Sequence, residues 1–205
     1  MADHYFSAAP ASAAERRVRG VRLGGRDIEV STAGGVFSPA HVDTGTRVLL
    51  DHVPEPPPGD LLDLGCGWGP IALDAALRAR EAATAVRVWA LDVNERAREL
   101  TAHNAATLGL TEVRAVTASQ LPAEVEFSAI WSNPPIRIGK AALHDLLLTW
   151  LPRLAPGAAA HLVVAKKLGA DSLVRWLDAE MGEGFSAARI ATAKGFRVLR
   201  VERAG

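Results

Sequence analysis

The sequence predicts an α/β fold: a mostly parallel sheet with helices on both of its faces. Three features predict it. From Asp60 onward short apolar runs alternate with helical stretches, which implies parallel strands joined by right-handed crossovers. The first run ends in a turn of three alternating glycines, Asp63-Leu64-Gly65-Cys66-Gly67-Trp68-Gly69-Pro70, that opens a helix. The last two runs, 185–191 and 196–201, are separated only by Thr192-Ala193-Lys194-Gly195, as the strands of an antiparallel hairpin are.

Residues 1–17 carry no periodic pattern and are expected to be poorly structured, with Tyr5 and Phe6 available to dock on the core. Residues 18–30 alternate apolar and polar side chains about Gly24-Gly25, a hairpin signal. The arginines of this stretch, with Arg16 and Arg17, suit either a solvated face or an RNA contact. A loop over 37–46 leads to a short helix ending near Val53; Asp43 is either only the cap of that helix or part of a segment, with Gly45 and Thr46, that lies over a ligand pocket. Pro54-Glu55-Pro56-Pro57-Pro58-Gly59 is a stiff connector. It divides an N-terminal cover, 1–59, from a core, 60–205, within what is expected to be one domain spanning 1–205. Strands are predicted near 60–64, 86–91, 112–117, 127–132 and 158–165, with helices between them. Pro70 stands at a helix's first position, where its missing N–H has no partner to lose, and Ile71, Leu73, Ala76 and Leu77 follow. Residues 95–108 read as helix behind the cap candidate Asn94. Leu143, Leu146, Leu147 and Trp150 fall at helical spacing across 140–151, which makes Trp150 a core residue. A further helix is predicted near 170–181, and no internal repeat is present.

Three motifs carry chemistry. Glycine has no Cβ, so the turn at 65–69 lets a ligand approach the backbone, although such a strand-to-helix turn also forms with no ligand. The run 86–91 ends in Asp92. A carboxylate at the end of the second strand suits a ribose diol, because it accepts from both hydroxyls. Its competing use as a helix cap falls better to Asn94. The run 127–132 ends in Asn133-Pro134-Pro135-Ile136, where two prolines fix the backbone, remove two donors and aim carbonyls outward. The spacing Gly65-x-Gly67-x-Gly69 differs from the G-x-G-x-x-G of dinucleotide sites and disfavours a nicotinamide dehydrogenase.

With these motifs the chain resembles the small-domain methyltransferases. That family includes bacterial small-subunit ribosomal RNA guanine-N2 methyltransferases and single-domain archaeal relatives. The resemblance rests on His4-Tyr5-Phe6-Ser7, Gly35-Val36-Phe37-Ser38, Val42-Asp43, Gly45-Thr46, the glycine turn, Asp92-Val93-Asn94, and the segments 132–140 and 194–199. It implies a Rossmann-like class I methyltransferase fold: a seven-stranded, mostly parallel sheet, a C-terminal antiparallel hairpin and a small N-terminal cover of hairpin and helix. It also implies S-adenosylmethionine (SAM) as cofactor, held by Thr46, Asp63, Gly65, Cys66, Gly67, Gly69, Asp92, Val93, Asn94, Ser119 and Asn133. Asn133, Pro134, Pro135 and Ile136 become the catalytic segment. In it the Asn133 side-chain oxygen and the Pro134 carbonyl accept from an exocyclic amine and turn its lone pair toward the methyl.

The implied acceptor is guanine N2 of small-subunit rRNA. Another RNA base, a protein glutamine, and a ribosome-associated SAM-binding role without catalysis are the other readings. The chain departs from its relatives in two places. Ile136 stands where base methyltransferases often carry an aromatic ring, and Thr117-Ala118-Ser119-Gln120 stands where many have an Asp. Phe37 or Trp68 is placed either to supply a ring or to pack in the core. Arg137, Lys140, Lys166, Lys167, Lys194 and Arg197 fall at predicted strand ends and turns. They form a phosphate patch if they share one face, and scattered solvated charge if they do not.

Composition limits the rest. With 49% apolar and 22% charged residues the chain is of ordinary globular type, neither disordered nor membrane-like. No apolar run approaches a membrane span and the start does not read as a signal peptide, so a cytoplasmic protein without membrane contact is expected. A single cysteine, Cys66, excludes an internal disulfide and a cysteine-based metal cluster, and no metal is expected. Formal net charge is zero, so any contact with ribosomal RNA or the 30S subunit must come from a local patch.

Overall fold

The computed structural model describes residues 15–205; the motif at 4–7 and the expected docking of Tyr5 and Phe6 lie outside them. The hairpin comes first in the chain. Arg17–Leu23 (β1) and Arg26–Thr32 (β2) pair antiparallel about Gly24-Gly25, whose φ angles of 53° and 72° suit a two-residue turn that matches strand twist. After a loop comes α1 (Thr44–Leu50), capped by Asp43. The remaining elements are β3 (Gly59–Leu64), α2 (Pro70–Glu81), β4 (Val86–Leu91), α3 (Glu95–Thr107), β5 (Val113–Val116), β6 (Phe127–Ser132), α4 (Lys140–Trp150), β7 (Leu154–Ala165), α5 (Ala170–Glu180), β8 (Phe185–Ala193) and β9 (Phe196–Arg203).

Seven strands lie in the order β5-β4-β3-β6-β7-β9-β8. β3 to β7 run parallel, and β9 is antiparallel to both β7 and β8. This is the Rossmann-like sheet and terminal hairpin that the sequence implies. The chain winds outward from β3 to β5, then crosses back to β6 beside β3. That reversal leaves a crevice at the carboxyl ends of β3 and β6, where open α/β sheets bind ligands.

Alternation along the strands gives the sheet two apolar faces. Leu61, Val88, Ala129, Trp131 and Val163 pack with α1, α2, α3 and the β1–β2 hairpin. Leu62, Leu64, Trp89, Ile130 and Leu162 pack on the other side, with α4 and α5. One expected helix is missing. Between β5 and β6 stands a single 3-10 turn, 118–120, closed by a capping box between Thr117 and Gln120. The short connection, with Pro122 in it, has no room for several helical turns. Trp89 beneath it is covered by the guanidinium groups of Arg87 and Arg114, 5.1 and 5.6 Å from its ring, and its indole N–H donates to Asp60 at 2.6 Å.

Side chains of the core helices hold the N-terminal hairpin. Asp74 of α2 accepts from the Gly24 N–H at 2.6 Å. Asn104 of α3, 1% exposed, accepts from the Ser31 N–H at 2.7 Å and donates to the carbonyls of Ser31 and Trp68 at 3.0 Å each. One amide thus joins β2 to the glycine turn. Asn104→Ala leaves these groups without partners and is expected to cost roughly 1–3 kcal/mol, measured as a lowered urea midpoint; an unchanged midpoint would show that water takes the amide's place.

Candidate active site

The glycine turn leaves β3 and enters α2. Gly65, Gly67 and Gly69 have φ of 82°, 58° and 97°, a conformation that L side chains adopt only with strain. A Cβ on Gly67 would meet no atom within 4 Å, and one on Gly65 only the Pro135 Cδ at 4.0 Å, so both face open space. At Gly69 a Cβ would strike the Thr101 side chain at 3.0 Å, because α3 packs there.

Two carboxylates hold this turn. Asp63, fully buried at the end of β3, accepts from the Ala72 N–H in the first turn of α2 at 3.0 Å. Asp92, just past β4, accepts from the N–H groups of Gly67 and Asn94 at 2.9 Å each, one on each oxygen. Burial pushes the Asp63 carboxyl up to about 8, and the charge of Asp92 adds to the rise. Burial raises Asp92 as well. Cys66 is buried, its sulfur accepts from the Thr101 hydroxyl at 3.5 Å, and burial pushes its thiol far up; it packs the turn and is no nucleophile.

Asn133 follows β6. The Ser132 hydroxyl donates to the Leu64 carbonyl at 2.6 Å and locks the ends of β3 and β6 together. Asn133 Nδ2 donates to the Asp43 carboxylate at 3.1 Å and to Thr46 Oγ1 at 3.0 Å. A carboxylate only accepts, so the amide atom facing Asp43 is the NH2 and Oδ1 points away from it. Asn133 lines a cleft together with Phe37, Asp43, Thr46, Gly65, Cys66 and Gly67. Pro135, at φ −75° and ψ 73°, makes an inverse γ-turn in which the Ile136 N–H donates to the Pro134 carbonyl at 2.8 Å. One acceptor direction of that carbonyl is therefore taken and one is left.

The model of the methyltransferase small domain family matches residues 27–200. The chain belongs to the small-domain methyltransferases. It is 33% identical to the Bacillus subtilis protein YbxB, itself uncharacterised, over 99% of this chain and 100% of that one. It is 32% identical to the ribosomal RNA small subunit methyltransferase C of Ectopseudomonas mendocina over 91% of this chain and 55% of that one. Among solved structures, a T. thermophilus 16S rRNA N2 methyltransferase in complex with AdoMet and guanosine superposes with a TM-score of 0.76 and 23% identity, over 92% of this chain and 50% of that one. This last likeness shows the fold. The chain spans about half the length of these two ribosomal RNA methyltransferases.

In this methyltransferase the loop 33–43 roofs the cleft, and three of its carbonyls anchor it. Gly34 accepts from Arg96 at 2.7 Å, Gly35 from Asn94 Nδ2 at 2.8 Å and Ser38 from the Trp68 indole at 3.1 Å. Asn94 also caps α3 through the Ala97 N–H. Of the two candidate rings, Trp68 is core at 1% exposed, while Phe37 stands at the cleft with 42% exposed. Val93 is exposed beside Asp92. Ser119 is exposed on the 3-10 turn, with its hydroxyl 3.0 Å from that of Thr117. Ile136 is half-buried against the α4–α5 layer. Arg137 lies in the 3-10 turn 136–138, and Lys140 and Lys166 are exposed.

Arg197 requires a correction. Expected among the exposed cations, it is 7% exposed and paired with Asp171 of α5, so its charge is balanced inside the fold. Sequence reasoning also missed Arg96, Thr101 and Asn104. Each bonds to chain at least thirty residues away, and no local pattern marks them.

Asp63 sets a pH dependence. Its folded pKa lies above the unfolded value, so the folded state holds a proton that the unfolded state has released between about pH 4 and pH 8. Stability from this group is full below that window and falls as pH rises through it. Asp63→Asn is expected to flatten the decline in urea stability from pH 5 to pH 8; a variant with the parent's slope would show that Asp63 ionises normally.

Proposed function

We propose that this methyltransferase transfers a methyl group from SAM to an exocyclic amine, the N2 of a guanine in small-subunit ribosomal RNA. One observation carries the reading: Asp43 and Thr46 take up the Asn133 NH2, which leaves Oδ1 as an acceptor at a cleft floored by the glycine turn. The residues fit the cofactor. Gly65 and Gly67 leave the space that a Cβ would fill, and Asp63 Oδ1 is buried without a hydrogen-bond partner. Asp92 keeps acceptor capacity beyond its two backbone N–H groups, enough for a ribose hydroxyl. The names of the relatives support RNA as the substrate class.

Bound SAM supplies an electrophilic methyl group on a sulfonium. The protein's task is then to hold the acceptor nitrogen close and aligned. An exocyclic amine is a weak nucleophile because its lone pair is delocalised into the ring. Asn133 Oδ1 and the remaining acceptor direction of the Pro134 carbonyl take its two N–H groups and turn the lone pair out of conjugation. As the nitrogen becomes positive these bonds strengthen, so they favour the transition state over the ground state. The proton leaves after transfer, and the motif needs no strong base. Phe37 offers its ring to the base, the part that Ile136 does not supply.

Tritium transfer from labelled SAM to naked ribosomal RNA, assembled 30S subunits and total protein tests the acceptor. Label in 16S rRNA as N2-methylguanine is expected; label in protein, or in another base, would move the reaction to a different amine. Asp92→Ala is expected to weaken SAM binding by roughly 1–3 kcal/mol, the cost of leaving buried donors unpaired, and calorimetry showing unchanged affinity would remove Asp92 from the site. Asn133→Ala is expected to keep SAM affinity within a few-fold and to slow methyl transfer by roughly 10²-fold or more, the scale for loss of one preorganised polar group. Transfer at the parent rate would end the amine-positioning role of Asn133.

A further inference from the structure

The chain contains only four lysines among its 23 Lys and Arg residues, at 140, 166, 167 and 194. All four lie on one edge of the sheet. Lys140 opens α4 just past the Asn133 segment, Lys166 and Lys167 follow β7, and Lys194 forms the β8–β9 turn with Gly195. β7 lies beside β6, and the Lys166 N–H donates to the Gly195 carbonyl at 2.9 Å, which brings 166, 167 and 194 together. Ser132, the last residue of β6, pairs with Leu162, so β7 continues three residues further, a rise of about 10 Å at the usual spacing per residue. These lysines form a lip above the Asn133 end of the cleft.

All four are exposed, and none forms an ion pair with a described residue, whereas many arginines do. The acid nearest the lip along the chain, Asp171, already pairs with Arg197 and Arg189. Lys194 holds a φ of 50°, which a β-turn fills with less strain using glycine or asparagine. A strained backbone position at the rim of a site points to use of the side chain.

We infer that Lys166, Lys167 and Lys194 grip the phosphodiester backbone of the RNA beside the target nucleotide, with Lys140 on the other side of the Asn133 segment. The inference rests on the RNA acceptor proposed above and adds where the polyanion lies. Phosphate contacts fix position without reading sequence. In a protein of zero net charge the lip places attraction for RNA at the mouth of the cleft.

The test is binding of a 16S rRNA fragment across a salt titration, with the parent and with Lys166→Ala/Lys167→Ala/Lys194→Ala. Each single-strand phosphate contact contributes about 0.7 to the log–log slope, so the triple variant should lose about 2 from it and bind roughly tenfold or more weakly at low salt. SAM affinity by calorimetry should stay within twofold, which shows that the variant is folded. The Lys→Arg triple should restore the slope, because the slope follows charge. Equal slopes in parent and alanine variant, or a parent that does not bind the RNA, would overturn the lip. So would a variant that loses transfer to an acidic protein while keeping its RNA affinity. Lysine-dependent RNA binding without label in 16S rRNA would leave the lip standing and overturn only the proposed acceptor.

Discussion

Two carboxyl groups, the buried Asp63 and the half-buried Asp92, hold the backbone turn on which the site is built. Three of the five residues at 65–69 have left-handed φ, and a free chain has no reason to keep them so. The carboxylates supply the reason. Asp63 reaches forward to the start of α2 and Asp92 reaches across from the neighbouring strand to Gly67. The Leu91 carbonyl adds bonds from the Gly65 and Cys66 N–H groups. A carboxyl group out of water is costly unless hydrogen-bonded, and here the donors are the turn itself and the first turn of α2. The turn and the acids need each other, and the cleft exists where they meet.

The N-terminal cover completes the cleft. It meets the core on two levels. The hairpin is tied through backbone groups to Asp74 and Asn104, and the loop 33–43 through its carbonyls to Arg96, Asn94 and Trp68. At its far end Asp43 and Thr46 hold the catalytic candidate Asn133. Asp43 performs two tasks with one oxygen, capping α1 through Gly45 and accepting from Asn133. A side chain at position 45 would meet the Phe196 ring at 2.8 Å, so the helix start, the terminal hairpin and the Asn133 clamp are packed as one piece.

Legibility followed range. Strand and helix alternation, the Gly24-Gly25 and Lys194-Gly195 turns, the Asp43 and Asn94 caps and the three strand-end motifs were all readable, because each is written in a few neighbouring residues. The helix expected between β5 and β6 was excluded by the shortness of the connection, Pro122 and the capping box, all of them local signals that the alternation of strands and helices outweighed. Arg197 looked like a rim cation because it follows a turn, but strand alternation turns it toward α5, where Asp171 meets it. Least readable were the clamps. Asn133 and Asp43 are separated by 90 positions and Ser31 and Asn104 by 73, and only the folded chain brings them together.

The Asn133–Asp43 contact also bears on why the motif has an amide and not an acid. An aspartate at 133 would set two carboxyl groups about 3 Å apart in a partly enclosed site. Like charges that close do not both ionise, so the pair would share a proton and part of its capacity to accept would come and go with pH. An amide avoids this coupling. It gives its hydrogens to Asp43 and Thr46 and leaves an oxygen of constant protonation at the cleft. The oxygen facing the cleft is thus uncoupled from ambient acidity by a single nitrogen atom.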